Sequence, residues 1–98
     1  MWHPMIELKT LQAQTKCLAR LEEKSIALFW IDSQVYAIED FCPHQGLPIS
    51  DGTISDLKIT CPFHQASFCL KSGKACMPDY YEPLRILATK LENGIVWV

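Results

Sequence analysis

Two short pairs of metal-ligating side chains, Cys42-Pro43-His44 and Cys61-Pro62-Phe63-His64, stand apart from the rest of the chain. One residue lies between the first cysteine and its histidine, two lie between the second pair, and 16 lie between His44 and Cys61. Thiolates are strong anionic donors that favour ferric iron, whereas imidazoles are neutral. Two loops that each offer one of both suit a binuclear [2Fe–2S] core, with Cys42 and Cys61 on one iron and His44 and His64 on the other. The same donor set satisfies tetrahedral Zn²⁺ in composition, but structural zinc sites pair their cysteines two to four residues apart. A single residue between Cys42 and His44 and the long gap that follows fit that pattern poorly.

Formal charge explains why mixed ligation matters. Two ferric ions, two sulfides, two thiolates and two neutral imidazoles sum to zero, so one added electron leaves a single negative charge. A cluster with four thiolates starts two units more negative and resists the electron more strongly. Each ligating histidine also keeps a second ring nitrogen, which a nearby ferric ion acidifies, so electron and proton transfer become coupled at high pH. His44 and His64 are therefore expected to be both ligands and a titrating edge.

Such ligands need a rigid frame, and the chain reads as short strands separated by turns. Residues 5–10 and 16–21 alternate, 25–31 form an apolar run rich in aromatic and β-branched members, and 35–38 return after the Asp32-Ser33-Gln34 turn. That hairpin delivers the chain to Cys42. Beyond the Asp51-Gly52 turn signal, Thr53-Ile54 and 57–61 read as strands leading to the second ligand pair. Residues 66–70 and 74–77 flank a Ser72-Gly73 turn, 77–83 is irregular, and 84–91 alternates as one strand. Asn93-Gly94 before Ile95-Val96-Trp97-Val98 is the strongest hairpin signal. No helical period is sustained and no repeat occurs, so the expected class is all-β with short antiparallel sheets. Phe29, Trp30, Ile38, Ile86, Leu87 and Trp97 are expected to pack between sheets.

Composition narrows the possible roles. Ninety-eight residues, 49% of them hydrophobic, make one domain with a modest core that a metal centre would help to hold. A net charge of −2 gives no general attraction to nucleic acid or anionic lipid. No apolar stretch approaches a membrane span, and Met1-Trp2-His3-Pro4 opens no secretory signal, so a cytoplasmic protein is expected. In that reducing setting Cys17, Cys69 and Cys76 are expected as packed thiols, with a Cys69–Cys76 disulfide the alternative.

The chain resembles Rieske-type ferredoxins of the low-potential, disulfide-free kind. The resemblance runs along the whole length and rests on Cys42-Pro43-His44-Gln45-Gly46 with Pro48, and on Cys61-Pro62-Phe63-His64 with Phe68 and Gly73. It implies an antiparallel β-sandwich base, a cluster-binding subdomain of about residues 41–70, a third loop near 77–83 shielding the cluster, and Cys42, His44, Cys61 and His64 as ligands of one [2Fe–2S] cluster. High-potential relatives add a cysteine to each ligand loop, where Leu47 and Phe63 stand here. They also place serine and tyrosine hydroxyls against cluster sulfur, where Ala66 and Phe68 stand here. Hydrogen bonds to sulfur stabilise the reduced cluster, so their loss implies a potential toward the lower end of the Rieske range. Gln65 replaces the usual glycine after the second histidine. Cys69 replaces a common acidic residue and is expected as a packed neutral thiol, with a spare ligand or redox-sensitive thiol as the alternative.

Counting histidines limits the function. A mononuclear oxygenase iron takes two histidines and a carboxylate, and only His3 remains after His44 and His64. The chain also lacks a G-x-G-x-x-G fingerprint for a dinucleotide. It is therefore expected to have no catalytic site of its own. The resemblance implies a one-electron carrier between a reductase and a terminal oxygenase of the aromatic-ring-hydroxylating type. Its partners would dock at a cluster tip formed by His44, His64, Pro43, Gln45, Leu47, Pro62 and Gln65, with Asp51, Asp56, Lys58, Lys71 and Lys74 as a charged rim. Neither nucleic acid nor a membrane is an expected partner. Alternatives are the ferredoxin-like small subunit of an assimilatory nitrite reductase, a redox-sensing regulatory module and a structural zinc domain.

Overall fold

A computed structural model describes residues 1–42, 48–62, 66–77 and 82–98, Met77 by its backbone alone. Its strands form three small antiparallel sheets. β2 (Lys16–Leu21), β3 (Lys24–Ile31) and β4 (Gln34–Glu39) make a meander that β9 (Ile86–Leu87) completes, in the order β2-β3-β4-β9. β5 (Thr53–Ser55), β6 (Lys58–Thr60), β7 (Ser67–Cys69) and β8 (Ala75–Met77) form a second meander. β1 (Pro4–Glu7), β11 (Ile95–Trp97) and β10 (Lys90–Glu92) form the third sheet.

Turn chemistry fixes the register of the hairpins. The two-residue connections Asp32-Ser33, Asp56-Leu57 and Asn93-Gly94 all have positive φ at both positions, as a type I′ turn requires. Asn and Asp tolerate the left-handed region and glycine is free in it. Besides Ser33 at φ 62°, a costly member is Leu57 at φ 60°. Its carbonyl accepts the Leu70 amide at 2.8 Å, tying this turn to the end of β7.

β3 holds the two cores apart. Because side chains alternate across a strand, Ala27 and Phe29 enter a core shared with the second meander, while Ile26 and Leu28 enter one shared with the third sheet. β4 divides in the same way, Ile38 into the first core and Ala37 into the second. A strand buried on both faces reads as a continuous apolar run, which is what residues 26–31 are.

Three expectations need correction. Residues 8–10 are not strand: Leu8–Gln14 is a helix, α1, with Leu11 buried and Thr15 at φ 65° closing it through an amide bond to the Leu11 carbonyl. Seven residues with one buried position are too few for a period to show. The alternating segment 84–91 is two strands, β9 on β4 and β10 on β11, so the chain changes sheet around Ala88-Thr89. Period two is the same in either sheet, and alternation cannot report a change of partner. Ile86 is exposed and Trp97 only half-buried, where Lys90 lies 5.5 Å from its ring centroid. Phe29 and Ile38 are core residues as expected, and Trp30 and Leu87 pack partly buried against the core. No helix among the described residues is long and apolar enough to cross a membrane.

Candidate metal centre

Both cysteines of the ligand pairs are fully buried, at 0% exposure, in the same core. Cys42 follows β4 through a γ-turn centred on Asp40, in which the Phe41 amide donates to the Glu39 carbonyl at 2.8 Å. The Asp40 amide donates to Ser25 of β3, also at 2.8 Å, so the approach to Cys42 is bonded to the central sheet. Cys61 lies directly after β6, and its amide donates to the Ala66 carbonyl at 2.6 Å. That bond closes the base of the loop that contains His64.

The base of the first loop is closed by a side chain. Asp40 Oδ1 accepts the amides of Ile49 and Ser50 at 2.9 and 2.8 Å, and Oδ2 accepts the Ser50 hydroxyl at 2.7 Å. Lys16 Nζ donates to the Ser50 carbonyl at 3.2 Å and lies 4.0 Å from Asp51, which straps this base to β2. The two loops then meet through Gly52, whose amide donates to the Ile49 carbonyl at 2.9 Å. A Cβ at Gly52 would stand 2.1 Å from the carbonyl oxygen of Thr60, the residue before Cys61. Only glycine lets the backbone leaving the first loop lie so close to the backbone entering the second. Behind them, Gly73 at φ 82° accepts the Leu84 amide at 2.8 Å, joining the β7–β8 turn to the segment before β9.

Cys42 and Cys61 share their core with Ile49, Ile59, Ala66, Phe68, Leu70 and Leu84. A thiolate is costly in such apolar surroundings unless a metal takes its charge, so two buried thiols at adjoining loop bases fit an iron–sulfur core. Ala66 and Phe68, at 0% exposure, bring no hydroxyl to it. His44 and His64 lie outside the described residues, as do Pro43, Gln45, Leu47, Phe63, Gln65 and 78–81 of the expected third loop. Among the described residues no other His, Cys, Asp or Glu group gathers into a metal site. His3 is engaged elsewhere, exchanging backbone bonds with Val98.

The remaining cysteines are free thiols, so Cys69 and Cys76 form no disulfide. Alternation along β7 sends Cys69 to the face opposite the buried Phe68, away from the core that holds Cys42 and Cys61. A hydrogen bond from the Ser72 side chain holds the Cys69 thiol below its ordinary pKa, with backbone bonds and the Lys58 charge acting in the same direction. Burial pushes Cys17 the other way.

Known proteins share this arrangement. The family model for the Rieske [2Fe–2S] domain matches residues 1–87. The chain belongs to the Rieske [2Fe–2S] domain family. The cofactor of a Rieske domain is one [2Fe–2S] cluster, and the buried cysteine pair fits it. The chain is similar to the 3-phenylpropionate/cinnamic acid dioxygenase ferredoxin subunit of Escherichia coli strain K12, at 41% identity over 75 residues, covering 74% of this chain and 70% of that protein. It also resembles a chain in the solved complex of reduced oxygenase and oxidized ferredoxin of carbazole 1,9a-dioxygenase, at a TM-score of 0.86 and 27% identity over 98% of this chain and 90% of that one. A putative nitrite reductase small subunit superposes with a TM-score of 0.84 at 24% identity, covering 99% and 96%, and shares the fold.

Sequence reasoning missed three contributors to this Rieske site. The Asp40–Ser50 bonds span ten residues and leave no local pattern. Asp51-Gly52 was legible as a turn, but its contact with Thr60 was not. Phe41 drew no notice as the residue before Cys42, yet it is 48% exposed beside that fully buried cysteine. Its ring lines a shallow cleft with Glu39, Glu82, Pro83 and Arg85.

Proposed function

We propose that this protein is a one-electron carrier that takes electrons from a reductase and passes them to a terminal oxygenase of the aromatic-ring-hydroxylating type. The observation that carries the reading is the pair of fully buried cysteines, Cys42 and Cys61, at adjoining loop bases in a chain 41% identical to a dioxygenase ferredoxin subunit. Cys42 and Cys61 would hold one iron and His44 and His64 the other. When bound, the [2Fe–2S] cluster accepts and releases single electrons by outer-sphere transfer. The protein supplies rigidity, since both loops are closed at their bases, and an apolar surround that keeps water from the sulfur side. The chain is one domain over residues 1–98, with a cluster-bearing part of about 41–70, and it works in the cytoplasm.

Partners would meet the protein at the cluster tip that carries His44 and His64, with the exposed ring of Phe41 next to Cys42 in the chain. An apolar centre with a charged surround suits a small transient interface. Of the expected rim, Asp51, Asp56, Lys58, Lys71 and Lys74 are exposed. The chain's own residues make no catalytic site, and the reaction belongs to the acceptor.

Anaerobic purification followed by iron and sulfide assay and EPR of the reduced protein tests the cofactor. Two irons, two sulfides and a rhombic signal of low average g are expected. One zinc without sulfide overturns the reading. Turnover of an aromatic-ring oxygenase that depends on added reductase and this protein tests the role.

A further inference from the structure

We propose that Asp40 is a positioning residue for the cluster, which both pins shut the loop that carries Cys42 and sets the potential through a fixed negative charge beside it. The inference rests on Cys42 being a cluster ligand, as proposed above. Asp40 occupies the centre of the γ-turn that ends β4, with its own amide on Ser25 and the Phe41 amide on Glu39. Its backbone is therefore held by the central sheet while its carboxylate reaches across the loop to residues 49 and 50.

That carboxylate accepts three donors, the amides of Ile49 and Ser50 and the Ser50 hydroxyl. Ser50 is 3% exposed, the one buried polar or charged residue among the described residues, and its hydroxyl is committed to Asp40. Truncating Asp40 would take the partner from three donors, of which the Ser50 hydroxyl belongs to a residue only 3% exposed, and an unmet buried donor costs more than a hydrogen bond gains. These bonds join the two ends of the loop, so without them its base would open at the expense of Cys42.

The charge acts separately from the clamp. Two residues of chain span at most about 7 Å, so Asp40 and Cys42 are near neighbours. Each electron that arrives adds negative charge to the cluster, and a nearby carboxylate disfavours it by like-charge repulsion. Lys16 offsets part of this field from the Ser50 carbonyl, and Arg85 lies 3.8 Å from Glu39 on the other flank, which leaves Asp40 without a direct cationic partner among the described residues.

The Asp40→Asn substitution separates the two effects. An amide oxygen still accepts the Ile49 and Ser50 amides, and the amide nitrogen donates to the Ser50 hydroxyl oxygen, while the charge is gone. The expected outcome is a midpoint potential shifted upward, with iron content and melting temperature as in the parent. An unshifted potential overturns the electrostatic role. Asp40→Ala is expected to release its cluster to a ferric chelator about thirtyfold faster, and Ser50→Ala about threefold faster, since they lose three bonds and one. A parental release rate in both overturns the clamp. Where Asp40→Ala does not fold, Ser50→Ala and Asp40→Asn carry the test. A parent protein that binds no cluster would instead sink the ligand assignment, a result that precedes and is distinct from either outcome.

Discussion

Cysteine chemistry at residue scale follows from surroundings and not from residue type. Cys42 and Cys61 lie fully buried in one core, whereas Cys17, Cys69 and Cys76 are half-buried on strands. Reactivity resides in the thiolate, so at neutral pH the Cys69 thiol, held low by Ser72, should be alkylated by iodoacetamide before Cys17, whose pKa burial raises. The preference should fade as pH climbs past both values, which peptide mass mapping across pH will read. Ala66 and Phe68 make a second case. Both are packed at 0% exposure in the core of Cys42 and Cys61 and give sulfur no hydroxyl. Ala66→Ser with Phe68→Tyr should raise the midpoint potential in a redox titration by stabilising the reduced cluster.

Loop bases dominate at the scale of elements. Gly52 and Gly94 look alike in sequence, each following an acidic or amide residue in a turn, but they do different jobs. A Cβ at Gly94 meets nothing within 4 Å, so Gly94→Ala pays only for φ 75°, about 1–2 kcal/mol. A Cβ at Gly52 meets the Thr60 carbonyl oxygen at 2.1 Å, and Gly52→Ala must move the segment that follows the Cys42 loop off the one that leads into Cys61. Its cost should reach about 3 kcal/mol, the upper part of the overpacking range, and it alone should lose cluster during purification. Denaturant midpoints and iron content of the two variants check this. The hairpins themselves were legible: 16–21, the apolar run ending at 31, and the Asn93-Gly94 turn stand where alternation and turn chemistry put them. The helix at residues 8–14 and the division of 84–91 were not, because one is too short to repeat and the other keeps its period while changing sheet.

For the whole molecule, β3 is the wall that both cores use. Phe29 faces the core of Cys42 and Cys61, and Leu28 faces the core of α1 and β11. Phe29→Ala should cost about 3–5 kcal/mol and Leu28→Ala about 2–5 kcal/mol by cavity formation, but only the former should also accelerate cluster release, since only it opens the core that Cys42 and Cys61 share. Thermal melts paired with chelator release will separate them. Metal binding is also folding energy in a chain this small. Removing iron should therefore strip hydrogen-exchange protection from residues 53–60 and 67–77 well before residues 16–39, whose sheet carries its own buried strand.

The chain by itself offered the two cysteine–histidine pairs and their spacing, the all-β class and most strand positions, because donor chemistry, period-two alternation and turn residues are local properties. Tertiary structure alone decided how the two cysteines are held. The Asp40 carboxylate reaching Ser50, Gly52 lying against Thr60, and β3 turning Phe29 and Leu28 into opposite cores join positions that no short-range pattern relates. They form only when separate hairpins pack, and the contacts that bring Cys42 and Cys61 into one core are of that kind.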